Sequence, residues 1–334
     1  MTSNDKESIA RENILRESDE AEGLSVNGYN FNDGVDLGKI LDSFETMGAG
    51  ATNLHKAISI INEMRKNKAF VYLGYTSNMV TGGNREIIRY LVEHKFVDVL
   101  VTTAGGIEED FIKCLGDFKI GDFKLSGGKL RDGGINRAGN ILIPNSRYCR
   151  FEDFMIPLLE KINNNQKETG KIITPSSLIN ELGRAIDNKD SIYYWAWKNE
   201  IPVYCPAITD GSLGDMIYFF KNKHPEFMVD VSEDIVGINN STIGKEKTGI
   251  ILLGTGVIKH HICNANMFRN GADYAVYINT APEFDGSDSG ALPDEAVSWG
   301  KLTKKAETVK VYADASIVFP LIVAKTFATE KLTP

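Results

Sequence analysis

The chain has no apolar run approaching the ~20 residues of a membrane span. Its amino-terminus, MTSNDKESIARENILRESDEAEG, carries charge where a secretory signal needs an apolar stretch. Cysteine is scarce: Cys114, Cys149, Cys205 and Cys263 form no Cys-x-x-Cys pair and no Cys/His spacing suited to zinc. No internal repeat or low-complexity linker interrupts the sequence. The net charge of -8 argues against nonspecific attraction to nucleic acid or anionic lipid, and fits a cationic ligand or a partner with a basic face. Together these absences point to a cytosolic protein with reduced thiols, no metal, no nucleic-acid partner and no membrane contact. With 334 residues, 42% hydrophobic and 25% charged, the composition is that of a soluble globular protein long enough for a substantial core.

What is present is alternation. Short apolar, β-branched runs at Phe70 to Leu73, Val97 to Val101, Ile201 to Tyr204, Gly249 to Leu253, Tyr274 to Ile278 and Val309 to Tyr312 read as strands. Helical patterns fall between and around them, clearest at Glu86 to His94, Phe151 to Asn163, Ser176 to Ile186 and Ser316 to Thr329. Leu37, Ile40, Leu41, Phe44 and Met47 recur at helical spacing behind Asp36, and a second helix is expected after Thr52. Apolar strands alternating with helices predict an α/β fold, a doubly wound, mainly parallel sheet with helices on both faces. Residues 1–25, charged and with one thin apolar stripe at Ile9, Ile14 and Leu15, suggest a helical arm capped at Ser3 or Asn4, or a frayed terminus. Residues 26–334 read as one α/β domain.

Each strand ends in small polar residues: Tyr75-Thr76-Ser77-Asn78, Thr102-Thr103-Ala104-Gly105-Gly106, Thr209-Asp210-Gly211-Ser212, Gly254-Thr255-Gly256, Asn279-Thr280-Ala281 and Ala313-Asp314-Ala315-Ser316. Ligands of open α/β sheets lie outside the carboxyl ends of the strands, so strand ends of one chemistry predict a cofactor crevice. A dinucleotide fingerprint is incomplete, because Gly254-Thr255-Gly256 continues Val257-Ile258-Lys259 without the third glycine.

The stretch Gly271 to Lys301 stands apart. Between Arg269 and Lys301 it holds Asp273, Glu283, Asp285, Asp288, Asp294 and Glu295 with no basic residue. Such a segment is either a solvated acidic loop or gains stability from a cation outside itself. Asp285 to Gly290 begins like a calcium loop, but serines at the third and fifth positions and Ala296 at the twelfth exclude an EF-hand. The segment ends Trp299-Gly300-Lys301, an aromatic face for an ammonium beside an amine able to attack carbon. These features suggest a linear polyamine as ligand.

The run from His260 to Lys301 and the stretch VKVYADASIVFPL at Val309 to Leu321 resemble the deoxyhypusine synthase family. So do LGYTSN at Leu73 to Asn78, VDVLVTTAGGIEEDFIKCL at Val97 to Leu115, GINRAGNILIPN at Gly134 to Asn145 and PAITDGSLGDM at Pro206 to Met216. The resemblance covers roughly Gly28 to the carboxyl terminus. It implies a Rossmann-like fold of that family's type, with NAD contacts from Ser77, Asn78, Met79, Val80, Thr81, Thr103, Ala104, Gly105, Glu109, Asp210, Thr255, Thr280, Ala281, Asp314 and Ala315. Spermidine contacts are implied for Glu108, Glu109, Asp215, His260, Gly286, Ser287, Asp288, Glu295, Trp299 and Lys301, with Lys301 as nucleophile and His260 handling a proton. His261 reads as packing, and His55, His94 and His224 have no supporting context.

The implied reaction passes the aminobutyl group of spermidine through a Lys301 imine to one lysine of the eukaryotic translation initiation factor 5A precursor, releasing 1,3-diaminopropane. The implied assembly is a homotetramer with shared active sites, in which the amino-terminal arm can lie across a neighbour's entrance. Thr255, Pro282 and the turn Thr81-Gly82-Gly83-Asn84 depart from the family's usual spelling beside nucleotide positions. Homospermidine synthase and a partner-dependent regulatory paralogue remain alternatives.

Overall fold

The computed structural model describes residues 2–329; Met1 and the last residues of the expected domain, 330–334, lie outside them. The central sheet has six parallel strands: β1 (Phe70–Tyr75), β2 (Val99–Thr102), β6 (Val203–Tyr204), β7 (Thr248–Leu253), β8 (Ala272–Asn279) and β9 (Leu302–Tyr312). Their spatial order is β6-β2-β1-β7-β8-β9. In chain order that is 3-2-1-4-5-6, the Rossmann arrangement, and the direction of winding reverses between β1 and β7.

Strand side chains alternate between two cores. Val71, Leu73, Leu100, Ile251, Leu253, Val276 and Ile278 face the larger one. Tyr72, Val99, Val101, Ile250, Leu252, Ala275 and Tyr277 face the other, which the helix Val257–Met267 covers with Ile258, Ile262 and Cys263. Burial on both faces is why these segments read as continuous apolar runs rather than alternating ones.

Element boundaries moved where local chemistry was misleading. β9 begins at Leu302, well before Val309, because Lys304, Lys305 and Glu307 lie on an exposed edge strand, where charge blunts edge-to-edge pairing. The helix expected from Phe151 to Asn163 spans Ser146–Thr169, and the one expected after Thr52 starts at Ala49. A second, antiparallel sheet was not anticipated. It comprises β3 (Lys119–Ile120), β4 (Ile135–Ala138) and β5 (Ile141–Pro144), and GINRAGNILIPN forms its β4–β5 hairpin. Gly139 turns that hairpin with φ +60°, the left-handed region that favours glycine.

The amino-terminal arm is helical over Ser3–Ile14, and its cap is Thr2 rather than Ser3 or Asn4. Thr2 and Asp5 form a reciprocal capping box. No residue of this helix is buried, and Ile9, Ile14 and Leu15 are all exposed. All four cysteines are free thiols. Among the described residues no helix is long and apolar enough to cross a membrane, and no group of His, Cys, Asp and Glu could hold a metal ion.

Candidate active site

The carboxyl ends of the parallel strands share one edge, and a crevice of about 590 Å3 opens there. Asn78, Met79, Thr255, Thr280, Ala281, Asp314 and Ala315 line it, together with Thr76, Gly254 and Ser289. The crevice therefore straddles the point where the winding reverses. Gly254 has φ +94°, and a Cβ there would collide with Thr76 Oγ1. Only glycine lets the β7 turn approach the β1 turn so closely. The incomplete fingerprint after β7 thus reflects a glycine used for strand-to-strand approach. Asp314 caps the helix Ala315–Lys325 by accepting from Ser316 N–H at 2.8 Å.

The other nucleotide candidates lie beside the helix Ala104–Leu115. A Cβ at Gly105 would stand 2.8 Å from Ser77 Cβ, so this helix start and the short helix Ser77–Thr81 touch through a glycine. Thr103 Oγ1 is buried with no hydrogen-bond partner. Val80 is fully buried, which places its side chain in the core instead of the crevice. Thr81 Oγ1 donates to Glu109, whose carboxyl is pushed up to about 7 by burial. Lys113 was not anticipated: its Nζ donates to the carbonyls of Val80 at 2.6 Å and Gly82 at 2.8 Å, fixing the end of the Ser77–Thr81 turn.

Glu108 has a structural task that the sequence reading missed. It is 6% exposed, and its carboxylate accepts from Leu213 N–H at 2.7 Å. It thereby caps the helix Ser212–Lys223, whose own preceding residue, Gly211, has no side chain to do so. Burial raises its pKa, while hydrogen bonds from Leu213 and Ser212 oppose that rise. Asp210 and Asp215 are exposed around the same helix start.

The acidic segment sits at the other side of the crevice. Asp273 does not belong with it: near the start of β8 it pairs with Arg269 at 3.0 Å and Lys247 at 3.3 Å and accepts from Thr248 N–H. The remaining acidic loop runs through residues 280–292 without helix or strand. Its counter-charges come from outside the segment, from buried Lys259 and buried Lys310. Asp288 Oδ2 is buried without a partner. Gly286 and Ser287 are exposed on the loop, and Glu295 is exposed on the short helix Pro293–Ser298.

Gly300 follows with φ +73° and turns the chain into β9. Lys301 stands at that turn, 7% exposed, its N–H bonded to Ala296 and its carbonyl to Ala272 N–H. Its ammonium lies 5.7 Å from the Trp299 ring centroid, so the cation nearest that ring is the chain's own. Trp299 is 63% exposed, which leaves most of its surface open to a ligand. His260 is exposed in the first turn of Val257–Met267, with Nδ1 3.1 Å from the Asn264 amide. His261 is half-buried, with its pKa lowered by burial and by His260.

Within one chain the candidates form two groups. Lys301, Trp299, His260, Asp288 and Glu295 gather around the helix Val257–Met267 on one face of the sheet, whereas Glu108 and Glu109 ride a helix whose Ile107 and Phe111 pack into the core on the opposite face.

Comparison with known proteins agrees in family. A family profile described as deoxyhypusine synthase matches residues 39–326. A probable deoxyhypusine synthase of Dictyostelium discoideum is 51% identical, with 98% of this chain and 93% of that protein covered. The deoxyhypusine synthase of Senecio vernalis is 50% identical, covering 95% and 93%. A homospermidine synthase of Senecio vulgaris is 49% identical, covering 99% and 98%. Among solved structures, an Entamoeba histolytica protein named for the same synthase aligns with TM-score 0.67 and 36% identity over 92% of this chain and 98% of that one. The Rossmann strand order, the glycine-lined crevice and the buried lysine at the head of β9 therefore belong to an enzyme of the deoxyhypusine synthase family.

Proposed function

We propose that the protein uses NAD to transfer the aminobutyl group of spermidine to one lysine of the eukaryotic translation initiation factor 5A precursor, giving deoxyhypusine and 1,3-diaminopropane. The observation that carries this reading is Lys301, an amine buried beside an exposed tryptophan at the end of an acidic loop. The buried, unpartnered Asp288 Oδ2 is an acceptor suited to a ligand ammonium. Glu295, Asp215 and the face of Trp299 would add further anchors.

The crevice suits NAD by its place at the winding reversal and by the close glycine approach of Gly254 to Thr76; beside it, at the next strand end, the Gly105–Ser77 approach and the orphaned Thr103 hydroxyl extend the same polar edge. Ser77 to Thr81, Ala104, Thr255, Thr280, Ala281, Asp314 and Ala315 would hold it, with Glu109 or Asp210 on ribose hydroxyls. Bound there, NAD would supply a hydride acceptor for the carbon beside spermidine's secondary nitrogen and, in its reduced form, the reductant for the final imine.

The chain's own residues manage the rest. His260, with Nδ1 engaged by Asn264, offers Nε2 to the proton released as the C–N bond becomes an imine. Lys301 Nζ attacks that imine carbon and diaminopropane departs, leaving the aminobutyl group on Lys301 as a Schiff base. The acceptor lysine displaces Lys301 in a second imine exchange, and reduction gives the product with no net redox change.

The separation of Glu108 and Glu109 from Lys301 by the sheet supports an active site completed by a second subunit of a homotetramer. The reaction would take place in the cytoplasm. Radiolabelled spermidine supplied with NAD and either the factor or putrescine tests the reading. Label on the factor supports it; label only on putrescine would make the protein a homospermidine synthase, and no transfer would favour a partner-dependent subunit.

A further inference from the structure

Lys259 and Lys310 have no part in the chemistry above, yet they are 2% and 8% exposed. An ammonium buried so deeply requires partners. Lys259 Nζ donates to the carbonyls of Asp288 and, at 3.2 Å, Ala291; the Asp288 carboxylate is 3.8 Å away and the Tyr277 ring centroid 5.1 Å. Lys310 Nζ donates to the carbonyls of Ala281 at 2.7 Å and Gly290 at 2.5 Å, with the Glu283 carboxylate at 4.0 Å. The loop between them has no regular structure of its own, so these main-chain carbonyls, drawn onto two ammonium groups, set its path.

We propose that Lys259 and Lys310 are positioning residues that clamp the acidic loop from two sides and so hold the polyamine ligands and the crevice wall in register. The proposal rests on the polyamine reading of this loop given above. The two clamps are unequal. Lys259 grips Asp288 and Ala291, neither of which lines the crevice; Ser289 between them does, but Thr255 Oγ1 holds its carbonyl independently at 2.9 Å, whereas Lys310 grips Ala281, itself a crevice residue. Loss of Lys259 should therefore disturb the polyamine side alone, and loss of Lys310 both sides. A purely structural role would lower stability without separating the two ligands.

The test measures spermidine KM, NAD affinity by fluorescence titration and thermal melting for Lys259→Met and Lys310→Met in the full-length protein. Lys259→Gln and Lys310→Gln replace any variant that fails to fold. For the Lys259 variant, spermidine KM should rise about tenfold or more while NAD affinity stays within about twofold; for the Lys310 variant both should weaken. A folded Lys259 variant with unchanged spermidine KM, or equal changes in both constants at both lysines, would overturn the clamp. If the intact protein transfers nothing from spermidine, the polyamine reading fails first and the clamp proposal falls with it.

Discussion

Gly290 lies directly against the Pro282 carbonyl, so that any Cβ at position 290 would collide with that oxygen. The contact folds the loop back on itself, and Lys310 ties its two ends through Ala281 and Gly290. A methyl group at Gly290 must push the ends apart. Gly290→Ala should lower spermidine-dependent kcat/KM about 100-fold, the scale expected when reacting groups move by about 1 Å. Steady-state kinetics on a variant with an intact far-UV spectrum checks this, and near-normal turnover would contradict it.

Glu109 makes the protein's stability pH-dependent in a defined direction. Folding raises its carboxyl from 4.5 to about 7, so between those values the folded chain binds more protons than the unfolded chain. Its contribution is most favourable below pH 4.5 and is lost as pH rises through 7, by on the order of 3 kcal/mol. Glu109→Gln, which keeps an acceptor for Thr81, should flatten that slope and be more stable than the parent at pH 8. Urea unfolding at pH 5, 6, 7 and 8 should show the two curves diverging with pH; parallel curves would refute the assignment.

The helix bearing Glu108 and Glu109 is anchored by a buried ion pair. Arg85 Nε donates to Asp110 Oδ1 at 2.7 Å, and Asp110 also accepts from the Ser191 hydroxyl and the Ile192 N–H. Asp110 is fully buried and Arg85 nearly so. Asp110→Ala would strand a buried guanidinium and should cost about 3–5 kcal/mol in denaturant unfolding. A loss below about 1 kcal/mol would mean that solvent reaches Arg85.

The division of the site across the sheet predicts complementation. Lys301→Ala chains lack the nucleophile, and Glu109→Ala chains lack the carboxylate carried on the opposite face of the sheet. Each should be inactive alone, and mixed oligomers should regain activity because an unaltered Glu109 then meets an unaltered Lys301. No recovery in verified mixed oligomers would place the whole site in one chain.

Much of this architecture was legible in the sequence because its physics is local. Strands buried on both faces, such as Ile250 to Leu253, read as apolar runs, and small polar strand ends marked the edge where the crevice lies. Asp36 was readable as a helix boundary, and it does cap Leu37–Met47. What escaped depends on contacts between distant positions. Lys310 sits between two valines in a strand, and nothing beside it announces a loop twenty residues earlier. Lys259 was overshadowed by His260. The capping role of Glu108 was hidden because its partner, the bare start of the helix after Gly211, lies about a hundred residues away. Asp273 was grouped with the acidic loop by proximity in sequence, yet Arg269 and Lys247 hold it near the start of its strand. The small antiparallel sheet was missed because its strands are short and largely exposed or half-buried, with only Ile143 fully inside.

The central claim is that Lys301 carries the aminobutyl group. Incubating the protein with NAD and labelled spermidine, quenching with borohydride and mapping peptides tests it most directly, with Lys301→Ala alongside. The account predicts label on the Lys301 peptide of the intact protein and none on the variant. Label on another lysine, or undiminished transfer by Lys301→Ala, would contradict it.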